Sequence, residues 1–181
     1  PSIIKYHDLS YKIDMQYSYS RLSAFNQCQF KYKLKYIDKI DPIIKDTIET
    51  FLGSIVHQIL EQLYQNILTG HLNTLDDLLS SFYHKWYEQC NDEILIVKKK
   101  YSMEHYQLLG KKYITDYYHQ YKPFNTSKTI SVEERIVFSL DEEKNYQMKG
   151  YIDRLSESKP GYYKIHDYKT TSRLPSQNQL D

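Results

Sequence analysis

The sequence predicts an α+β fold, with a helical first half followed by an antiparallel meander. Apolar residues recur at helical spacing up to Tyr121, and from Ile130 they recur at every second position. Pro123 stands between the two patterns and ends the helical half.

Ser18 or Ser20 can cap a first helix running to about Ile37, with Leu22, Phe25, Leu34 and Ile37 as its apolar positions. Asp41-Pro42 breaks the chain there, because the residue before proline avoids the helical region. A second helix is predicted from about Thr50 to Leu68. Leu52, Ile55, Val56, Ile59, Leu60, Leu63 and Ile67 give it the strongest periodic signal in the chain, and Gly70 is its stop. Two more helices follow, at about Leu75–Cys90 and Ser102–Tyr121, with Lys98-Lys99-Lys100 as a solvated turn between them. Ile130–Leu140 then alternates through Val132, Ile136, Phe138 and Leu140. Tyr146–Leu155 and Tyr162–Tyr168 also read as strands, with Pro160-Gly161 marking the turn between them.

The 181 residues suit a single domain, 1–181, with a helical elaboration, and they can bury a sizeable core. No apolar run approaches the ~20 residues needed to cross a bilayer. Pro1–Tyr11 lacks the apolar segment of a signal peptide. Both points predict a soluble, cytoplasmic protein. Lys plus Arg number 24 against 23 Asp plus Glu, so global charge is silent on nucleic acid. Locally, Arg21, Lys31, Lys33, Lys35 and Lys39 oppose Asp38 alone and alternate with Phe25, Phe30, Tyr32 and Tyr36. Such a mixture suits a nucleic-acid groove, although a solvated helix face explains it more simply. Cys28 and Cys90 form no CxxC pair and no zinc spacing, which points to a reducing compartment. The 20 tyrosines are too frequent for any one of them to be a functional signal.

The chemistry centres on the last hairpin. Asp153 and Asp167 are equally far from Pro160, so a turn centred there puts them opposite each other on neighbouring strands. Paired carboxylates at ~5 Å repel unless one is protonated or a cation lies between them. Oxygen-rich sites of this kind suit Mg²⁺ or Mn²⁺. Lys169 is two residues past Asp167 and on the same face of an extended strand. Two acids and a lysine are the parts needed to cut a phosphodiester. Composition alone favours an ordinary surface Asp–Lys pair. His57 lies at the edge of the Thr50–Leu68 stripe, and Gly53 one turn earlier leaves room for a close neighbour. Taken alone, such a histidine is more often structural than a ligand.

Gly53-Ser54-Ile55-Val56-His57, Gly150-Tyr151-Ile152-Asp153-Arg154 and Ile165-His166-Asp167-Tyr168-Lys169-Thr170, in that order, resemble the PD-(D/E)XK nuclease superfamily. More narrowly they resemble its RecB-like branch, with AddB-type and CRISPR-associated exonucleases. Tyr17-Ser18-Tyr19-Ser20-Arg21-Leu22, then Cys28 and Lys31-Tyr32, resemble that branch's first helix. Each motif is short, but the ordered set spans about Tyr17 to Thr171. The resemblance implies a restriction-endonuclease-like α/β/α fold, a central mixed sheet flanked by helices, with a helical insertion at about 72–121. It implies catalytic Asp153, Asp167 and Lys169. Metal ligation would come from His57, Asp153, Asp167 and the carbonyl of Tyr168. Glu133 or Glu134 would add a first-strand acid; parity with Val132 and Ile136 favours Glu134, whereas the motif alignment fits Glu133 equally.

The branch usually continues with a helix bearing Gln and Tyr, and the chain ends at Asp181 before it, so truncation at the C-terminus is expected. Some members hold an iron–sulfur cluster through one early and three late cysteines. Cys28 sits at the early place without late partners, so no cluster is expected and a buried free thiol is. The resulting expectation is a Mg²⁺- or Mn²⁺-dependent deoxyribonuclease, an exonuclease of DNA repair or recombination that leaves 5′-phosphate ends and works with a helicase subunit or fused helicase. Its rivals are a silent DNA-binding scaffold and a sequence-specific endonuclease.

Overall fold

The apolar stripe expected around Thr50–Leu68 forms helix α3, Ile48–Leu68, and its first turn is closed by the Thr47 side chain accepting from the Thr50 amide. A computed structural model describes residues 15–44 and 46–170. Within them the chain divides into two compact units. One takes the chain up to Ile40 together with Arg135–Tyr151, the other Asp41–Glu134 together with the chain from Ile152 onward.

The second unit holds the core. Helix α3 buries Ile48, Leu52, Ile55, Ile59 and Leu63 at spacings of three and four. Helices α4, Leu75–Gln89, and α5, Met103–Tyr121, pack on it and on each other. Trp86, Phe82 and Leu78 of α4 and Ile114 and Tyr118 of α5 fill the space between them. Each such side chain contributes about 1.5–3 kcal/mol by leaving water. Gly110 lets α5 approach closely, because a Cβ there would stand 2.6 Å from Phe82 and 2.7 Å from Leu52. Thr74 and Asp77 start α4 with a reciprocal capping box. Two short strands, β2 (Asp46–Thr47) and β3 (Ile94–Leu95), pair in parallel.

The meander expected after Pro123 is present as β4, Lys128–Ser139, β5, Tyr146–Lys159, and β6, Tyr162–His166. The turn from β4 to β5 is tied by the Asp141 carboxylate, which accepts from the Asn145 and Tyr146 amides. The β5–β6 turn uses Gly161 at φ 78°, the left-handed region that favours glycine. The antiparallel register pairs Arg154 with His166 and Leu155 with Ile165, which keeps the hairpin centred on Pro160. In the first unit, β1 (Met15–Tyr17) runs parallel to the start of β5, with Gln16 beside Gln147. Parallel and antiparallel neighbours on β5 make the sheet mixed, and helices flank it, as the restriction-endonuclease-like fold requires.

Three expectations are corrected. The first helix does not run unbroken from Ser18 to Ile37. It splits into α1, Tyr19–Gln27, and α2, Gln29–Tyr32, followed by a π-helical turn, Lys33–Ile37. Cys28 between them is extended, and its Sγ accepts from the Lys31 amide at 3.4 Å, so it acts as a cap for α2. Cys28 is also exposed rather than buried. The last strand ends at His166 rather than Tyr168, so Asp167 and Lys169 follow it instead of lying on it. The Tyr168 amide donates to the Asp153 carboxylate at 2.6 Å, and this side-chain bond takes the place of a ladder bond.

Candidate metal centre and active site

The site is assembled from four elements of the second unit. α3 supplies His57, β4 supplies Glu133, β5 supplies Asp153, and the segment after β6 supplies Tyr168. One ligand-type atom each from His57, Glu133 and Asp153 lies within 4.8 Å of the others. All three residues are partly buried. They line a cleft of about 510 Å³, together with Glu49, Glu61 and Thr170.

Two backbone features set this geometry. Gly53, one turn before His57, faces Thr170, and a Cβ there would meet its Oγ1 at 3.0 Å. The expected close neighbour is thus the segment that carries Tyr168 and Lys169. Glu133 sits inside β4 at φ 50°, a left-handed conformation that is strained for a residue with a Cβ. That kink upsets strand parity. Glu133 joins His57 and Asp153 in a group that could hold a metal ion, whereas Glu134 is exposed and accepts from the Ser131 hydroxyl. Alternation with Val132 and Ile136 pointed to Glu134, because alternation assumes extended backbone throughout. Nothing in the residue type of Glu133 announces a positive φ.

The electrostatics suit a cation. His57 Nε2 lies 2.5 Å from the Tyr168 carbonyl oxygen, which can only accept, so Nε2 donates. In the neutral ring Nδ1 then carries a lone pair, and it faces Asp153 Oδ2 at 3.5 Å. Burial pushes the Glu133 carboxyl above the usual range, the Asp153 and Glu61 charges push it further, and His57 opposes them. A ring lone pair and two carboxylates are held close at a partly buried spot. One imidazole nitrogen with carboxylate oxygens is a donor set for a divalent cation of the Mg²⁺–Mn²⁺–Zn²⁺ kind.

Asp167 and Lys169 stand differently. Their side chains pair at 2.6 Å, both are exposed, and both line a neighbouring cleft of about 280 Å³. Asp167 is not in the His57–Glu133–Asp153 group. Thr170 borders both clefts. Behind the site, Arg154 is buried, lies 3.9 Å above the Tyr64 ring and places Nη2 3.0 Å from the His166 ring nitrogens. Burial first, then Arg154 and Lys164, lower the His166 pKa, so its ring accepts rather than repels. Ser156, fully buried, is 2.8 Å from His166 Nε2.

The PD-(D/E)XK nuclease superfamily model matches residues 16–181. The chain belongs to the PD-(D/E)XK nuclease superfamily. The site described above is therefore that of a nuclease-superfamily member, whose relatives usually work with divalent metal. No curated protein matches the sequence. In this superfamily member, the basic patch expected at Arg21–Lys39 lies in the first unit. Arg21 is committed there: its Nε donates to Tyr32, and its guanidinium faces the Tyr17, Tyr32 and Tyr36 rings at 5.3–5.6 Å. Lys33 pairs with Asp38 at 2.5 Å. Among the described residues, no helix is long and apolar enough to cross a membrane.

Proposed function

We propose that the protein is a metal-dependent deoxyribonuclease of the RecB-like branch, acting as an exonuclease in DNA repair or recombination. The observation that carries this is the convergence of His57, Glu133 and Asp153, with the Tyr168 carbonyl against His57, in a chain of the PD-(D/E)XK nuclease superfamily. In this reading residues 1–181 form one nuclease domain, and α4 and α5 are the helical insertion at about 72–121. DNA is the partner, brought by a helicase subunit or a fused helicase.

His57, Glu133, Asp153 and the Tyr168 carbonyl would hold the cation, and Asp167 would complete its carboxylate set. A histidine among the ligands favours Mn²⁺ over Mg²⁺, since imidazole is the softer donor. The bound ion would supply Lewis acidity at the phosphate and a more acidic water. The chain's own groups do the rest. The Tyr168 amide holds the Asp153 carboxylate in place at 2.6 Å. The Lys169 ammonium, 2.6 Å from Asp167, orients the attacking water and offsets charge developing on the phosphate oxygens. Attack by water opposite the 3′-oxygen breaks the P–O3′ bond and leaves a 5′-phosphate.

The test is cleavage of end-labelled linear DNA, single- and double-stranded, with Mn²⁺ or Mg²⁺. Wild type releases label, and Asp153→Ala and Lys169→Ala each lose activity by at least a hundredfold. A circular substrate left intact supports an exonuclease. Wild type that binds DNA but never cuts it, with either metal, would sink the enzyme reading in favour of a scaffold.

A further inference from the structure

The geometry points to a base-stacking subsite on α5, formed by Tyr113, Tyr117 and Tyr121, that receives an unpaired nucleobase beside Lys169. The inference rests on the nuclease reading above and adds a single-stranded substrate to it.

Helix α5 presents two different tyrosine faces. Tyr106, Gly110, Ile114 and Tyr118 are four residues apart and face the core. Tyr113, Tyr117 and Tyr121 have the same spacing, offset by one residue, and line the cleft of about 280 Å³ that also holds Asp167 and Lys169. The first set is explained by packing. The second is only partly so, because Tyr121 is 40% exposed. The inner ring is held firmly. The Tyr117 hydroxyl is 2.8 Å from that of Tyr64, and its ring meets Tyr168 edge to face at 5.7 Å. Tyr121 lies against Tyr117 with centroids 4.5 Å apart, tilted by 40°. A fixed aromatic ring with a more exposed one beside it is a platform on which a planar base can stack.

The charges in the cleft select the base rather than the phosphate. Two carboxylates line it, Asp116 and Asp167, and each already has a lysine partner, Lys112 and Lys169. With both acids paired, the ring end of the cleft has no spare cation among its lining residues to hold a phosphate, and an uncharged base needs none. Gln120 offers an amide for the edge of the base. A base in this cleft comes from a strand whose backbone passes Lys169 and Thr170, and Thr170 borders the cleft of His57 and Asp153 as well. A base held in a duplex cannot reach the rings, because its faces are already stacked on its neighbours.

The test measures binding of the full chain, in EDTA, to labelled oligo-dT, oligo-U, an abasic strand of equal length and a blunt duplex. Wild type should bind oligo-dT about tenfold more tightly than the abasic strand, a difference of about 1.4 kcal/mol. Tyr121→Ala should remove most of that ratio, and Tyr121→Trp should keep it. Tyr113→Ala replaces Tyr121→Ala if the latter melts early. Equal or weaker binding of oligo-U keeps the subsite, since oligo-U differs from oligo-dT in the thymine methyl and the 2′-hydroxyl and still offers a stacking face. The subsite is overturned if the abasic strand binds as tightly as oligo-dT, or if the alanine variants leave the ratio unchanged. Cleavage with Mn²⁺ is read separately. Base-dependent binding without cutting removes the nuclease reading and keeps the subsite, while cutting without base dependence does the reverse.

Discussion

Gly53 sits one turn before His57, and a Cβ there would stand 3.0 Å from the Thr170 hydroxyl. An exposed helical Gly→Ala ordinarily gains about 1 kcal/mol. Here the methyl meets the segment that carries Tyr168 and Lys169. Gly53→Ala should therefore melt no earlier than wild type and yet cut DNA several-fold more slowly, which paired melting and cleavage assays would show. Glu133 is the converse case, a strained residue at the position of a proposed ligand. Its φ of 50° is easy for glycine, and its charge is crowded by Asp153 and Glu61. Glu133→Gly should raise the melting temperature in EDTA by about 2–4 °C, equivalent to about 1 kcal/mol. The same change should remove most of the stabilisation given by Mn²⁺. A variant that loses stability in EDTA would contradict the strain argument. Glu49 supplies a pH signature away from the ligands. Burial pushes its carboxyl up, but hydrogen bonds from Tyr106 at 2.8 Å, its own amide and Lys98 outweigh that and leave it below 4.5. Its folded pKa lies below the unfolded one, so its contribution is present above about pH 4.5 and is lost as pH falls through the folded value. Tyr106→Phe should flatten the acid side of a plot of melting temperature against pH.

Elements with a long periodic repeat or a turn of distinctive chemistry were legible, and strands too short to repeat were not. The stripe from Leu52 to Ile67 marked α3 because it repeats over several turns, and Pro160-Gly161 marked the β5–β6 hairpin because turn chemistry is local. β1, β2 and β3 have two or three residues each, too few to show a period. The break at Cys28 also escaped, since a cysteine capping a helix leaves no compositional mark. The site was partly legible for the same reason. His57, Asp153, Asp167, Tyr168 and Lys169 sit in ordered motifs, whereas the choice between Glu133 and Glu134 turned on one backbone angle. Two substitutions test the elements themselves. Thr74→Ala removes the side chain that starts α4 and should cost about 1 kcal/mol, lowering the melting temperature by about 2–4 °C without touching cleavage. Gly110→Ala on α5 should reverse the usual helix gain. Its Cβ would overlap Phe82 at 2.6 Å and Leu52 at 2.7 Å, so a loss of about 1–3 kcal/mol is expected.

At the scale of the whole molecule, the proposed ligands come from places far apart in the chain. His57 is on α3, Glu133 on β4 and Asp153 on β5, and the Tyr168 carbonyl that contacts His57 follows β6, 111 residues away. An ion bound by all of them joins the helical core to the strands of the second unit, which a denatured chain cannot do. Binding to the folded form alone stabilises by RT ln(1 + [L]/Kd), about 2.7 kcal/mol when the ion is at a hundred times its Kd. For a chain of this length that corresponds to a rise of roughly 5–10 °C in melting temperature. The shift should be largest with Mn²⁺, smaller with Mg²⁺ and reversed by EDTA. Asp153→Asn keeps the side chain's shape and removes the charge beside His57, and it should abolish the shift. Lys169→Ala removes no ligand and should keep it, while losing cleavage. Cleavage lost in both variants, with the Mn²⁺ shift lost only in Asp153→Asn, separates holding the metal from using it. If both variants kept the full shift, the ion would be held elsewhere and the His57–Glu133–Asp153 assignment would fall.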